Sequence, residues 1–222
     1  MNNTLGLGVG NVVTAGTLSL SKSVGTLYNN ISDAGLVELS GSDVVLAGNN
    51  SDFSGQFTID ADSRLTASMA ENLGDAQVSN VGSLVLNSES TWQLDNEIYG
   101  QGSVTKTGTG TITVGDNAAW TGQTVIEQGR LELGQADSPV VLASTQVTIH
   151  DGAVLSGSGG VAGNIDNDGM LLVGSVVSDN PQLFTVGGDL SNSGDLVTGI
   201  HGQLAGNQLV VKGNYTGNDG HL

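Results

Sequence analysis

Two pairs of aspartates are the side chains in this sequence best suited to catalysis: Asp166 with Asp168, and Asp43 with Asp52. Glycoside cleavage uses two carboxylates that face one cleft, one of them with a raised pKa. Asp166 and Asp168 lie among Asn and Gly residues, however, where aspartate is favoured for backbone reasons. A lyase would also need basic groups to hold an anionic polymer, and the chain has only five Lys and Arg. A polysaccharide-acting β-helical enzyme, lyase or glycosidase, is therefore the alternative hypothesis.

The histidines give little support for a metal site. His150, His201 and His221 are the only three, and none has a His or Cys partner two to four residues further on. A zinc site would have to be assembled from remote parts of the chain, so we interpret these residues as exposed turn histidines. The absence of cysteine excludes disulfides, thiolate metal sites and Cys nucleophiles.

The glycine-rich segments lack the patterns of known binding loops. No Gly-x-Ser-x-Gly elbow occurs, so no serine stands out as the nucleophile of a serine hydrolase. Residues 157–160, Gly-Ser-Gly-Gly, lack the lysine of a phosphate loop. Residues 187–189, Gly-Gly-Asp, do not repeat as calcium-binding nonapeptides do. We therefore predict no catalytic residue, no metal and no cofactor.

Five aromatic residues could stack on sugars. Phe53 and Trp120 occupy equivalent places in an internal repeat, which favours a packing role at a corner of the fold. Trp92 and Tyr99 are freer candidates, and Tyr215 is a fifth, although a structural role is the first expectation for each.

Composition restricts the partners. There are 22 acidic and 5 basic residues, which give a formal net charge of −17. The basic residues are isolated from one another, whereas nucleic-acid binding needs cationic clusters. An anionic membrane surface would repel the chain, and no run of 18 apolar residues could span a bilayer. We predict neither nucleic-acid binding nor direct membrane insertion.

Short alternating strands are the elements that would position any site. Each is rich in β-branched residues and alternates apolar with polar side chains, which predicts one buried face and one solvent-exposed face. Turn formers such as Asn-Asn, Asp-Gly and Asn-Ser-Gly separate them, and no helical window of 12 residues is evident. Typical strands are 17–20, 36–39, 83–86, 111–114, 124–126, 130–133, 146–149 and 208–211. This pattern alone leaves an antiparallel sandwich open.

An internal repeat favours a solenoid instead. Residues 35–59 match residues 102–126 at an offset of 67, with eight identities in 25 ungapped positions and Phe53 replaced by Trp120. Self-similarity on this scale indicates a repeat architecture. An offset of 67 is too long for one turn and predicts about three turns of a coil.

Residues 102–134 resemble the passenger-associated repeat of autotransporters. That repeat has a Lys-x-Gly-x-Gly strand, here beginning at Lys106, then an Asn-rich turn and an aromatic-Thr-Gly step at Trp120. A Thr-rich strand and a closing Gly-x-Leu-x-Leu-Gly, residues 129–134, complete it. A weaker copy spans 35–67 and lacks the Lys. Residues 155–169 look like the Gly-Ser-Gly stretch of AIDA-like passengers, and 206–218 look like the start of the pertactin-like C-terminal passenger region.

The resemblance implies an all-β, right-handed parallel β-helix displayed on the bacterial surface by type V secretion, through the periplasm and outer membrane. Residues 1–180 would form a β-helix segment, and 181–222 would begin the region that caps the coil and aids folding. The family's C-terminal translocator barrel has no counterpart in this sequence. The expected function is structural and adhesive, with host or bacterial surface molecules as partners, or self-association in autoaggregation and biofilm formation.

Overall fold

A computed structural model of the chain is a parallel β-solenoid. The structure describes residues 4–134, 138–174, 181–198, 200–201 and 205–218. Successive strands lie on successive sides of a coil, and each pairs in parallel with the strand one coil away. The predicted β-helix is therefore confirmed and the antiparallel sandwich is excluded. A right-handed sense is the one that parallel crossovers adopt almost without exception.

Thirty short strands make up nearly all of the regular structure in the described part of the chain. In chain order they are β1 Val12–Val13, β2 Thr17–Ser21, β3 Val24–Leu27, β4 Ile31–Ser32, β5 Leu36–Ser40, β6 Asp43–Leu46, β7 Gln56–Ile59, β8 Arg64–Ala67, β9 Gln77–Asn80, β10 Ser83–Asn87, β11 Trp92–Leu94, β12 Ile98–Gly100, β13 Ser103–Thr107, β14 Thr111–Val114, β15 Ala118–Trp120, β16 Thr124–Ile126, β17 Arg130–Leu133, β18 Val140–Leu142, β19 Gln146–Ile149, β20 Val154–Gly157, β21 Gly159–Val161, β22 Asn164–Asn167, β23 Met170–Val173, β24 Leu183–Val186, β25 Leu190–Asn192, β26 Asp195–Thr198, β27 Ile200–His201, β28 Ala205–Gly206, β29 Gln208–Val211 and β30 Tyr215–Gly217.

Four parallel sheets form the sides of the coil. Sheet I has ten strands in the order β3-β6-β8-β10-β13-β16-β19-β22-β25-β30. Sheet II has six, β15-β12-β9-β7-β5-β2, and sheet III has six, β11-β14-β17-β20-β23-β26. Sheet IV has four, β18-β21-β24-β29. The strands β1 and β4 pair in parallel, and β27 and β28 form one small antiparallel pair.

The core is a thin aliphatic column inside these sheets. Alternate residues of each strand point inward, as in β7, where Phe57 and Ile59 are fully buried and Gln56 and Thr58 are half-buried. The inward residues of all four sheets form one continuous hydrophobic cluster. Burial of these side chains drives folding, and the residues between them along each strand point outward.

The internal repeat advances by three coils and one further side. Strand register carries Val37 through Phe57 and Val78 to Ile98, which is 61 residues along the chain. The sequence repeat instead pairs Val37 with Val104, which lies on sheet I and not on sheet II. The offset of 67 residues therefore equals three coils and one further side, in agreement with the predicted three turns.

Buried asparagines link neighbouring coils, mostly through backbone atoms. The Asn50 side chain accepts from the Ile31 N–H at 2.7 Å and donates to the Asn72 carbonyl at 2.6 Å, so it joins three coils. Asn167 Nδ2 donates to Asn192 Oδ1 on the next coil at 2.6 Å, a direct bond between two amide side chains. The buried residues Asn29, Asn72 and Asn96 donate instead to carbonyls of an adjacent coil, which gives these backbone groups a partner.

Two short helices interrupt the strands. A 3₁₀ turn, Thr4–Leu7, packs on β3, and a single α-helical turn, α1 Ala70–Leu73, takes the place of a strand before β9. The side chain of Asn72 holds α1 in place, because its Oδ1 accepts from Ser68 N–H and Met69 N–H. Sheets I, III and IV all continue past residue 180, and the division there into two regions stays a prediction.

Candidate functional site

The outer face of sheet I is a regular surface that extends over ten strands. One outward column runs across all ten strands, and strand register places its residues side by side: Thr26, Val45, Thr66, Val85, Thr105, Val125, Thr148, Asp166, Ser191 and Thr216. Threonine and valine alternate over the first seven positions. Those seven carry no charge, although the chain as a whole has a net charge of −17. Thr66 and Val85 are buried, and the other five are half-buried.

The candidate catalytic aspartates are not brought together by strand register. Asp166 lies on the outer face of β22, where its register neighbours are Thr148 and Ser191. Asp168 is exposed in the turn that follows β22. Asp43 begins β6 and is paired with Val24 and Arg64, while Asp52 is exposed in a separate turn. No second carboxylate faces Asp166 or Asp43 from an adjacent strand of the described chain.

The histidines do not form a metal site in the described part of the chain. His150 is exposed after β19, in agreement with the expected turn position. The side chain of His201 and the whole of His221 lie outside the described residues. Within those residues, no group of three or more His, Cys, Asp or Glu side chains could hold a metal ion. No helix there is long and apolar enough to cross a membrane.

The two repeat-equivalent aromatics are packing residues, as predicted. Phe53 and Trp120 are both fully buried. The Phe53 ring meets Phe57 edge to face, with ring centroids 5.1 Å apart, a favoured aromatic geometry. The Trp120 indole N–H donates to the Thr124 hydroxyl at 2.8 Å, and that hydroxyl is 2.6 Å from the hydroxyl of Ser144.

The other three aromatics differ in exposure. Trp92 packs against the core from the edge of sheet III, so it does not present a free ring. Tyr215 is 47% exposed on β30. Tyr99 lies on the outer face of sheet II, and its hydroxyl accepts a hydrogen bond from Gln56 Nε2 at 2.5 Å, across the intervening strand β9. Of the candidates, Tyr99 has both an outward ring and a fixed orientation.

The two glycine-rich segments allow close approach of coils. Gly159 has φ of +104°, and a Cβ there would lie 2.1 Å from the Val140 carbonyl oxygen. In the 187–189 segment, Asp189 Oδ1 accepts from the Asn214 backbone N–H at 2.7 Å and so joins adjacent coils. Both segments therefore have structural roles in this fold.

Among the described residues, Lys106 is the cationic side chain that lies inside the solenoid. It takes an inward position on β13, between Leu86 and Ile126, and is 1% exposed. Its Nζ donates to the carbonyls of Thr107 and Gly108, both at 2.7 Å, and of Gln128 at 3.2 Å. Burial lowers the pKa of Lys106 to about 8, and the nearby Glu89 carboxylate opposes that shift.

This buried amine has a structural role. An amine with a pKa near neutrality can serve as a base or nucleophile, but Lys106 is enclosed by backbone carbonyls and hydrophobic neighbours. Its ammonium therefore ties the end of β13 to the following coil. The lysine of the repeat motif was noted in the sequence, but its inward direction was not predicted.

These features define a parallel β-solenoid whose interior is filled and whose distinctive surfaces are outer sheet faces. The chain is 48% identical over 156 residues to the uncharacterized protein YuaQ of Escherichia coli K12, a match that covers 68% of the chain and 11% of YuaQ. It is 42% identical over 168 residues to the uncharacterized lipoprotein YdeK of the same organism, covering 75% of the chain and 13% of YdeK. No family model matches, and no solved structure matches. The chain thus spans about an eighth or less of either relative.

Proposed function

We propose that this chain is a rigid segment of a bacterial surface rod, related to autotransporter passengers, that mediates adhesion through its outer faces. The resemblance of residues 102–134 to passenger repeats supports this proposal. The similarity to YdeK, an uncharacterized lipoprotein, supports a place at the cell envelope. The ten-stranded sheet would give a segment about 43 Å long, at roughly 4.8 Å per strand.

The observation that carries the adhesive role is the uncharged Thr/Val column of sheet I. A chain with 22 acidic residues repels copies of itself over most of its surface. The seven positions from Thr26 to Thr148 carry no charge, and the charged pair that flanks them, Asp43 beside Arg64, is balanced in sign. β-branched residues also pack well between sheet faces. Asp166 interrupts the column at its eighth position and limits the uncharged stretch.

The size of the face predicts weak self-association. Seven strands span about 29 Å and a strand of five residues about 14 Å, so the uncharged stretch offers roughly 400 Å² to a second copy. Stable interfaces bury about 800 Å² per partner. A single segment should therefore associate only at high concentration, and adhesion between cells would depend on many such contacts acting together.

Sedimentation velocity over a wide concentration range tests this proposal. We expect reversible association of the unmodified chain that Val125→Lys abolishes, because the lysine places a desolvated charge in the column. The matched control is Thr113→Lys, which adds the same charge at a half-buried outward position on sheet III and should leave association intact. A chain that stays monomeric throughout, or equal effects of both variants, would contradict the proposal.

A further inference from the structure

The outer face of sheet II contains an aromatic ring with a fixed orientation. In strand register Tyr99 lies between Ser79 and Ala119, and the short Ser79 side chain leaves room for the half-buried ring to extend over β9 toward Gln56. The hydrogen bond from Gln56 reaches two strands away and sets the direction of the ring. Ligand binding at this ring would then require little loss of side-chain freedom.

Polar groups surround the ring on one side. Gln77 lies next to Gln56 in register, and its Nε2 donates to Glu97 Oε2 at 2.7 Å. An aromatic face with amides and a carboxylate at its rim offers both stacking and hydrogen bonding, the combination that fixes the orientation of a polar ligand. Tyr99 contributes its stacking surface at a low cost in side-chain entropy, since it has only two side-chain torsions.

An open groove of about 680 Å³ adjoins the same two glutamines. Its length follows the solenoid axis, because it is lined by residues from four successive coils, among them Gly16, Gly35, Gly55 and Asp75. An extended polymer can lie in such a groove and place one of its units on Tyr99. No basic side chain lines the groove, and its charged neighbours Asp75 and Glu97 are acidic.

We infer that Tyr99, together with Gln56 and Gln77 and the groove beside them, forms a binding site for a neutral polysaccharide. Saccharide rings have apolar C–H faces that stack on aromatic rings, and their hydroxyls pair with amides and carboxylates. The acidic surroundings disfavour acidic glycans. This inference rests on sheet II alone and stands independently of association through sheet I.

Affinity electrophoresis through gels that contain dextran, yeast mannan or galactomannan tests the site, with polygalacturonate as the acidic probe. We expect at least one neutral polysaccharide to retard the chain, and Tyr99→Ala to weaken that binding by about fivefold or more. Tyr99→Phe keeps the ring and loses only the bond from Gln56, so it should retain part of the affinity. Polygalacturonate should cause no retardation.

Tyr28→Ala is the matched control, since it removes a tyrosine that is 71% exposed elsewhere on the surface. It should bind as the unmodified chain does, and far-UV circular dichroism should show that all variants keep the fold. Absence of retardation by all three neutral polysaccharides would overturn the inference. Equal retardation of Tyr99→Ala and the unmodified chain, or tighter binding to polygalacturonate, would overturn it as well.

Discussion

Replacing Lys106 with methionine should change how stability depends on pH. The folded-state pKa of Lys106 is about 8, because burial disfavours the ammonium, whereas an unfolded lysine titrates near 10.5. Between these values the unfolded chain binds more protons than the folded one, so the free energy of unfolding rises with pH. A difference of about 2.5 pKa units corresponds to about 3 kcal/mol. Lys106→Met removes this titration.

At neutral pH two effects of the substitution oppose each other. Methionine removes the desolvation cost of about 3 kcal/mol. It also takes a donor away from the carbonyls of Gly108 and Gln128, and a buried polar group that loses its partner costs about 1–3 kcal/mol. The two proteins should therefore have similar stability at pH 7. By pH 10.5 the unmodified chain should be more stable than the variant by about 3 kcal/mol.

Urea unfolding followed by far-UV circular dichroism at pH 7, 8.5, 9.5 and 10.5 measures this difference. Lys212→Met is the control, because it removes an exposed cation and produces the same change in net charge. Its stability relative to the unmodified chain should stay constant with pH. A constant difference for Lys106→Met would refute the reasoning, and would mean that the three carbonyls compensate the ammonium fully for its burial.

Three further predictions concern other parts of the fold. Asn50→Ala should lower the free energy of unfolding by about 2–4 kcal/mol in urea titrations, because two buried backbone groups lose their hydrogen bonds to the side chain. Asn49 is exposed, so Asn49→Ala should lower it far less. Equal effects of the two substitutions would contradict the role of Asn50 in linking coils. Gly159→Ala should lower the melting temperature strongly, because the added Cβ would collide with a carbonyl oxygen. Gly16→Ala places its Cβ in open space and should be tolerated. An unchanged melting temperature for Gly159→Ala would argue against the close approach of these coils. Incubation with polygalacturonate should give no reducing ends, and turnover that Asp166→Ala abolishes would revive the enzymatic hypothesis.

The strands were predictable because each carries its own alternating pattern. The segments 111–114, 130–133 and 146–149 match β14, β17 and β19. Inward and outward positions follow from the same alternation. The single turn α1 escaped detection, since four residues are too few for a helical period to appear.

The length of one coil was harder to predict from sequence. Strands on different sides of the coil have the same alternation of apolar and polar residues. Two copies of a sequence repeat can therefore lie on different sides of the coil and still resemble each other. Register places Val37 beneath Phe57, whereas sequence similarity relates it to Val104. Only the pairing of strands across coils distinguishes these two relations.

The candidate sites depend on contacts that sequence spacing does not encode. Gln56 and Tyr99 are 43 residues apart, and nothing in the sequence around either residue predicts the hydrogen bond between them. Lys106 stands in an alternating strand at an inward position, and that alternation is the signal that could have placed it inside. The Thr/Val column appears only when ten strands are aligned, although each strand contributes an unremarkable outward residue.

Register-specific disulfide formation tests the in-register stacking of coils most directly, because the natural chain has no cysteine. Thr105 and Val125 are Cα partners on adjacent coils, within the separation that a disulfide spans. Thr105 and Thr148 are two coils apart, about 10 Å. We predict that mild oxidation rapidly cross-links the monomer of Thr105→Cys with Val125→Cys, and not of Thr105→Cys with Thr148→Cys. Equal cross-linking of both pairs, or of the second alone, would contradict the solenoid and the outer faces that it creates.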